Sequence, residues 1–141
     1  MTCFWNGLIQ GLGSGRIQSV LKYKMKNNNE RKTLNIKTII SLLQKHNCLT
    51  TNVLYNNTIL TDRELNENYN VIANFSSDNI REGYDCSISD PFLLLVCEVF
   101  RVNINFCYNS IDVTYKNETV IDGQSRQTIN FRCDEGHFMC D

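Results

Sequence analysis

Asp90-Pro91-Phe92-Leu93-Leu94-Leu95-Val96-Cys97-Glu98-Val99-Phe100-Arg101-Val102-Asn103-Ile104-Asn105-Phe106-Cys107-Tyr108 is the stretch where the apolar spacing of this chain changes. Up to about Arg101 the spacing predicts a helix capped by Asp90, with Pro91 at its first position and Phe92, Leu93, Leu95, Val96, Val99 and Phe100 as its core. From Val102 the period becomes two. Val102, Ile104, Phe106 and Tyr108 alternate with Asn103, Asn105 and Cys107, the pattern of a half-buried strand.

Working outward, Ile111, Val113 and Tyr115 predict a second strand and Ile129, Phe131 and Cys133 a third. Gly136 to Asp141 predicts a fourth, and Asn109-Ser110 and Asp122-Gly123 supply turns. Towards the start the spacing is helical. Phe4, Trp5, Leu8, Ile9 and Leu12 predict a helix from Cys3 to Leu12, stopped by the glycines at 11, 13 and 15. Those glycines are not a phosphate loop, since no strand precedes them and no Lys-Ser/Thr follows. Ile17, Val20, Leu21 and Met25 predict a second helix ended by Asn27-Asn28-Asn29, and Leu34 to His46 a third. Cys48 to Leu60 reads as loop or a short extended piece. Thr61 or Asp62 caps a helix running to Asn74, and Ser76 to Asp90 reads as loop. The expected fold class is α+β: a helical lobe packed on a small, mostly antiparallel sheet.

The 141 residues fit a single domain with one core, residues 1–141, without internal repeat or linker. A net charge of −1 with interspersed signs, and no surface combining aromatic and basic residues, give no expectation of a nucleic-acid partner. The one basic stretch, with Lys22, Lys24, Lys26, Arg31 and Lys32, reads as a solvated helix face and turn. No apolar run approaches the roughly 20 residues of a membrane span, so no membrane partner is expected. The start of the chain has no basic region followed by an apolar stretch, so no secretory signal is expected. On that reading the sequons at Asn56, Asn74 and Asn117 are chance matches in an asparagine-rich chain. The seven cysteines, an odd number without a C-x-x-C pair, are reduced thiols of a cytosolic protein, with Cys97 and Cys107 inert in the core.

The chemistry sits at the two ends. Thr2-Cys3-Phe4-Trp5-Asn6-Gly7 places a cysteine at a helix N-terminus. Cys133-Asp134-Glu135-Gly136-His137-Phe138-Met139-Cys140 places a histidine in a strand. A helix N-terminus and a nearby imidazolium both lower a thiol pKa, and the helix N–H groups can hold the oxyanion formed when sulfur attacks a carbonyl. Gly136 lets a substrate backbone approach the imidazole. His46, after an amphipathic helix, reads as a C-terminal cap rather than a base.

The order of cysteine helix, further helices, Asp90-Pro91-Phe92-Leu93-Leu94-Leu95, and strands ending in Gly136-His137-Phe138 resembles papain-like cysteine proteases of the ovarian-tumour (OTU) type. The Thr2-Cys3-Phe4-Trp5-Asn6 segment resembles the cysteine motif of viral leader and torovirus papain-like proteases. The resemblance spans nearly the whole chain through short motifs. It implies Cys3 as nucleophile, His137 as general base and Asp141 as the group orienting the histidine. The reaction implied is hydrolysis of peptide or isopeptide bonds through a thioester, with no cofactor. The polypeptide substrates implied are a viral polyprotein junction, or ubiquitin and ubiquitin-like proteins on host targets. The setting implied is the host cytoplasm. Only Met1 and Thr2 precede Cys3, where such families often place an oxyanion-hole residue. Met139 stands where OTU members often have Asn or Asp. Both departures suggest a domain excised from a longer polyprotein. Asp134 and Glu135 could offer negative charge to the arginines of a ubiquitin tail. Two other readings stand beside this one: a catalytically inactive papain-like binding module, and a small zinc-binding domain using Cys133, His137 and Cys140.

Overall fold

A computed structural model describes residues 3–22, 36–76, 86–119, 126–134 and 137–140, with the side chains at 3, 86–88 and 137 outside that description. Five helices and six strands are seen there: α1 Cys3–Leu12, α2 Ser14–Val20, α3 Ile36–Lys45, β1 Val53–Tyr55, β2 Thr58–Ile59, α4 Asp62–Ala73, α5 Cys86–Phe100, β3 Asn103–Tyr108, β4 Ile111–Asn117, β5 Thr128–Asp134 and β6 His137–Cys140. The strands form one sheet in the order β2-β1-β4-β3-β5-β6.

The expected α+β class holds, with two refinements to the sheet. It is mixed, because β5 returns to the free edge of β3 and runs parallel to it, Ile104 opposite Ile129 and Phe106 opposite Phe131. The other pairings are antiparallel. The segment expected as loop or extended piece is a hairpin, β1–β2, that extends the sheet beyond β4. Its turn, Asn56-Asn57, has φ of 49° and 64°, and the β3–β4 turn, Asn109-Ser110, has 46° and 70°. Two successive positive φ angles define the type I′ turn, whose twist matches that of paired strands and which asparagine tolerates well. The expected Asp122-Gly123 turn lies outside the described residues. The second helix stops at Val20, with Leu21 as its C-cap and Lys22 at a φ of 53°, well before the expected stop at Asn27-Asn28-Asn29, which itself lies outside the described residues.

One face of the sheet is dry and the other wet. Along β5, Ile129, Phe131 and Cys133 are buried while Asn130, Arg132 and Asp134 are exposed. The period-two pattern therefore has its physical origin in a one-sided core. Cys107 stands on the outer face beside Asn105 and is half-buried, a correction to its expected place in the core. The dry face carries α1 and α5. Residues 92–97 of α5 are all buried, so this helix is enclosed on every side, between the sheet and α4. It begins at Cys86, a turn earlier than expected. Pro91 therefore lies inside it and Asp90 is not its cap. α4 starts as the sequence predicts: Thr61 accepts from the Glu64 N–H at 3.1 Å while Glu64 accepts from the Thr61 N–H at 3.0 Å, a capping box.

Helix α1 lies unusually close to the sheet. A methyl group built on Gly7 would meet Cδ1 of Phe138 at 2.7 Å, and one on Gly11 would meet Cζ of Phe131 at 2.9 Å. The four-residue spacing puts both glycines on one helix face. Without side chains there, the aromatic rings of the sheet seat directly on the helix backbone. Phe138 cannot retreat, since it packs on Phe4 at 4.9 Å, Phe106 at 5.3 Å and Phe131 at 4.9 Å.

The far end of α5 is tied to β4 by Asn117. Its side-chain amide donates to the Cys97 carbonyl at 2.7 Å, its Oδ1 accepts from the Thr119 N–H at 2.8 Å, and its own N–H donates to Asn103 Oδ1 at 2.9 Å. Cys97 is among the last four residues of the helix, whose carbonyls have no intrahelical partner. Asn117 thus satisfies one such group in a place water does not reach.

Two stability measurements test these points. Gly7→Ala should lower the unfolding free energy by about 1–3 kcal/mol through overpacking, whereas Gly15→Ala, with open space around it, should be neutral or stabilising by up to about 1 kcal/mol. Asn117→Ala should cost about 2 kcal/mol by leaving the Cys97 carbonyl unpaired. Urea denaturation of the three variants reads all of this directly.

Candidate functional site

Cys3 is the first residue of α1 and His137 the first of β6. Their side chains, and the whole of Asp141, Glu135 and Gly136, lie outside the described residues. What the fold does establish is the relation of the two elements. Phe4 and Gly7 seat on Phe138, and Gly11 seats on Phe131 and Ile129. Since Phe138 pairs with Cys133 and Cys140 with Phe131, α1 travels along the sheet from the His137 end of β6 towards and past its Cys140 end. The N-terminus of α1 and the beginning of β6 therefore share one end of the molecule. Trp5 anchors that end, with Phe4 and Phe92 each at 4.9 Å and Phe75 at 5.8 Å.

The register pairs His137 with Asp134. The Asp134 carboxylate lies 3.3 Å from the Arg132 guanidinium, with both side chains about half exposed. Met139 stands opposite Arg132, whose guanidinium donates to its sulfur at 3.4 Å. His46 plays a structural part: its Nε2 lies 3.1 Å from the Leu21 carbonyl, linking the end of α3 to the end of α2. Of the cysteines proposed as zinc ligands, Cys133 is buried on the dry face and Cys140 is half-buried, two register positions apart. Among the described residues no group of three or more metal-ligating side chains comes together. No helix of the described residues is long and apolar enough to cross a membrane.

A second feature of this end was not legible in the sequence. Between α5 and the dry face lies a cleft of about 230 Å³ whose lining includes Tyr55, Asp90, Phe106, Tyr108, Ile111 and Tyr115. Phe106 connects it to Phe138 and so to the start of α1. The Tyr115 hydroxyl donates to Asp90 Oδ1. Burial raises the Asp90 pKa above its ordinary value, more than the Tyr115 hydrogen bond lowers it. Tyr55 is raised as well, first by burial and then by the Asp90 charge. Alternation along β3 and β4 places these aromatics on one face. Nothing in the sequence signals that a carboxylate inside α5 would meet them.

No family model, curated protein or solved structure matches this chain.

Because the folded pKa of Asp90 is raised, the native state holds that proton more tightly than the unfolded chain. The linked stabilisation is complete below the ordinary value of 3.8 and is lost as pH rises through the raised folded value. Compared with the wild type, Asp90→Asn should therefore be at least as stable at neutral pH, and its relative advantage should disappear towards pH 4. Thermal unfolding of both proteins across that range checks the sign.

Proposed function

We propose that this chain is a cysteine-type peptidase of papain-like or OTU-like architecture, acting on polypeptides or on isopeptide-linked ubiquitin-like modifiers. The observation that supports the reading is the shared end of α1 and β6, which brings the chain positions of Cys3 and His137 into one region. A thiol on the first turn of a helix is acidified by the dipole and by unpaired N–H groups.

In the proposed reaction His137 takes the Cys3 proton and the thiolate attacks the substrate carbonyl carbon. The resulting oxyanion is held by N–H groups of the first turn of α1. Collapse breaks the C–N bond, and His137 returns the proton to the leaving amine. Water then attacks the thioester with His137 as base, releasing the acid and restoring the thiol. Asp141 is the proposed orienting group for the imidazole. The chain would act as a processing enzyme of a viral polyprotein, as a deubiquitinase in the host cytoplasm, or as both. No cofactor enters the scheme.

The register of His137 opposite Asp134, whose side chain is exposed on the wet face, favours a second reading: the same fold as a binding module without hydrolysis.

One experiment separates the two. A ubiquitin probe with a C-terminal electrophile, and a peptide panel carrying the same warhead, should label Cys3 alone among the seven cysteines. Cys3→Ala should abolish labelling, and His137→Ala should slow it by about 10²–10⁴-fold. A folded protein in which no electrophile selects Cys3 sinks the peptidase reading and leaves the binding module.

A further inference from the structure

We propose that the cleft between α5 and the sheet, walled by Tyr55, Tyr108 and Tyr115 and carrying Asp90, is a binding site for a primary alkylammonium group on an aliphatic stem, such as a lysine side chain. The inference is independent of the peptidase reading.

Asp90 supplies the charge. Its only described bond is the one it accepts from Tyr115, and among the described residues it has no cationic partner. The carboxylates of α4 that reach the adjoining cavity are already engaged: Glu64 accepts from Thr61, and Glu67 lies 2.9 Å from the Arg63 guanidinium. That second cavity, of about 200 Å³, shares Tyr55 and Asp90 with the first. A half-buried carboxylate with no counter-ion among the described residues, lining both cavities, is a site of negative potential.

The walls suit an ammonium on a carbon stem. Tyr55 and Tyr115 meet edge to face at 5.5 Å, and Phe106 and Tyr108 at 6.1 Å. Aromatic faces attract cations through their quadrupole, most strongly where water is thinned. Phe106, Val113 and Ile111 offer apolar surface to methylene groups; Ile111 is 66% exposed, an apolar side chain standing at the mouth of the cleft. A guanidinium is the poorer fit. Its planar fork seeks two carboxylate oxygens, and Oδ1 of Asp90 already receives the Tyr115 hydroxyl. A compact ammonium needs only one.

Among the described residues, the titratable groups that line the same cavities as Asp90 are Tyr55 from β1, Tyr108 from β3, Tyr115 from β4, and Glu64 and Glu67 from α4. Burial and the Asp90 charge both push the Tyr55 hydroxyl up, away from neutrality. The Glu64 carboxyl is held below its ordinary range by the Thr61 backbone hydrogen bond first, then by the Thr61 hydroxyl, whereas Asp90 is raised. Binding controlled by Asp90 therefore weakens on acidification at a pH above the ordinary carboxylate range.

The test uses Nα-acetyl-lysine methylamide, its norleucine counterpart of equal stem and no charge, and n-pentylamine. Binding is followed through the ring signals of Tyr55 and the methyl signals of Val113 and Ile111 by NMR. The lysine amide should bind at least about tenfold more tightly than the norleucine amide, and Asp90→Asn should remove that difference. Pentylamine distinguishes the source. Weaker binding than the lysine amide points to a polypeptide ligand, and equal or tighter binding points to a free amine. Should Asp90→Asn fail to fold, the pH dependence of wild-type binding takes its place. Equal affinity for the charged and neutral stems overturns the proposal. So does unchanged binding by Asp90→Asn, a midpoint within the ordinary carboxylate range, or the absence of any perturbation by the lysine amide.

Discussion

The structure depends on the absence of two side chains. Gly7 and Gly11 let α1 settle onto Phe138 and Phe131 at a distance that even a methyl group would forbid. That approach joins the first described helix to the last described strand and closes the aromatic cluster of Phe4, Trp5, Phe75, Phe92, Phe106, Phe131 and Phe138. Edge-to-face and tilted ring packing of this kind adds specificity beyond simple burial. It also sets the entropy of folding. A contact between residues 7 and 138 closes nearly the whole chain as one loop, so it is favourable only after nearer contacts have shortened that loop.

Much of this architecture can be read in the residues. The shift of apolar period at Arg101 separates helix from strand because a helix buried on all sides needs a continuous apolar surface, while a one-sided sheet needs alternation. The Thr61–Glu64 capping box is equally local. What escaped is what depends on partners distant in sequence. The β1–β2 hairpin has only three and two residues, too few to show a period, although Asn56-Asn57 carries the residue type that a type I′ turn accepts. The parallel pairing of β3 with β5 is invisible to alternation, which has the same period in either direction. Pro91 at the first helical position is the better local prediction. The helix nevertheless begins at Cys86, a turn upstream, with Pro91 inside it.

The candidate site divides along the same line. Cysteine at a helix start and histidine at a strand start are sequence statements, and the common end of α1 and β6 gives them a shared location. The two aspartates differ in a way only packing can set. Asp134, about half exposed beside Arg132, is a screened surface pair that contributes little to stability. Asp90 has lost much of its water and, among the described residues, receives only a tyrosine hydroxyl in return. Identical carboxylates thus acquire opposite characters, one neutralised at the surface and the other holding unspent charge in an aromatic cleft.

Asn117 carries a last consequence. Its amide nitrogen is the atom to which an oligosaccharide would be attached in the Asn117-Glu118-Thr119 triplet, and that atom already donates to Cys97 inside the protein. A sugar placed there would both remove a hydrogen and demand space where none exists. The folded chain and a glycan at this position are mutually exclusive, so modification before folding would hold β4 apart from the helix it must meet.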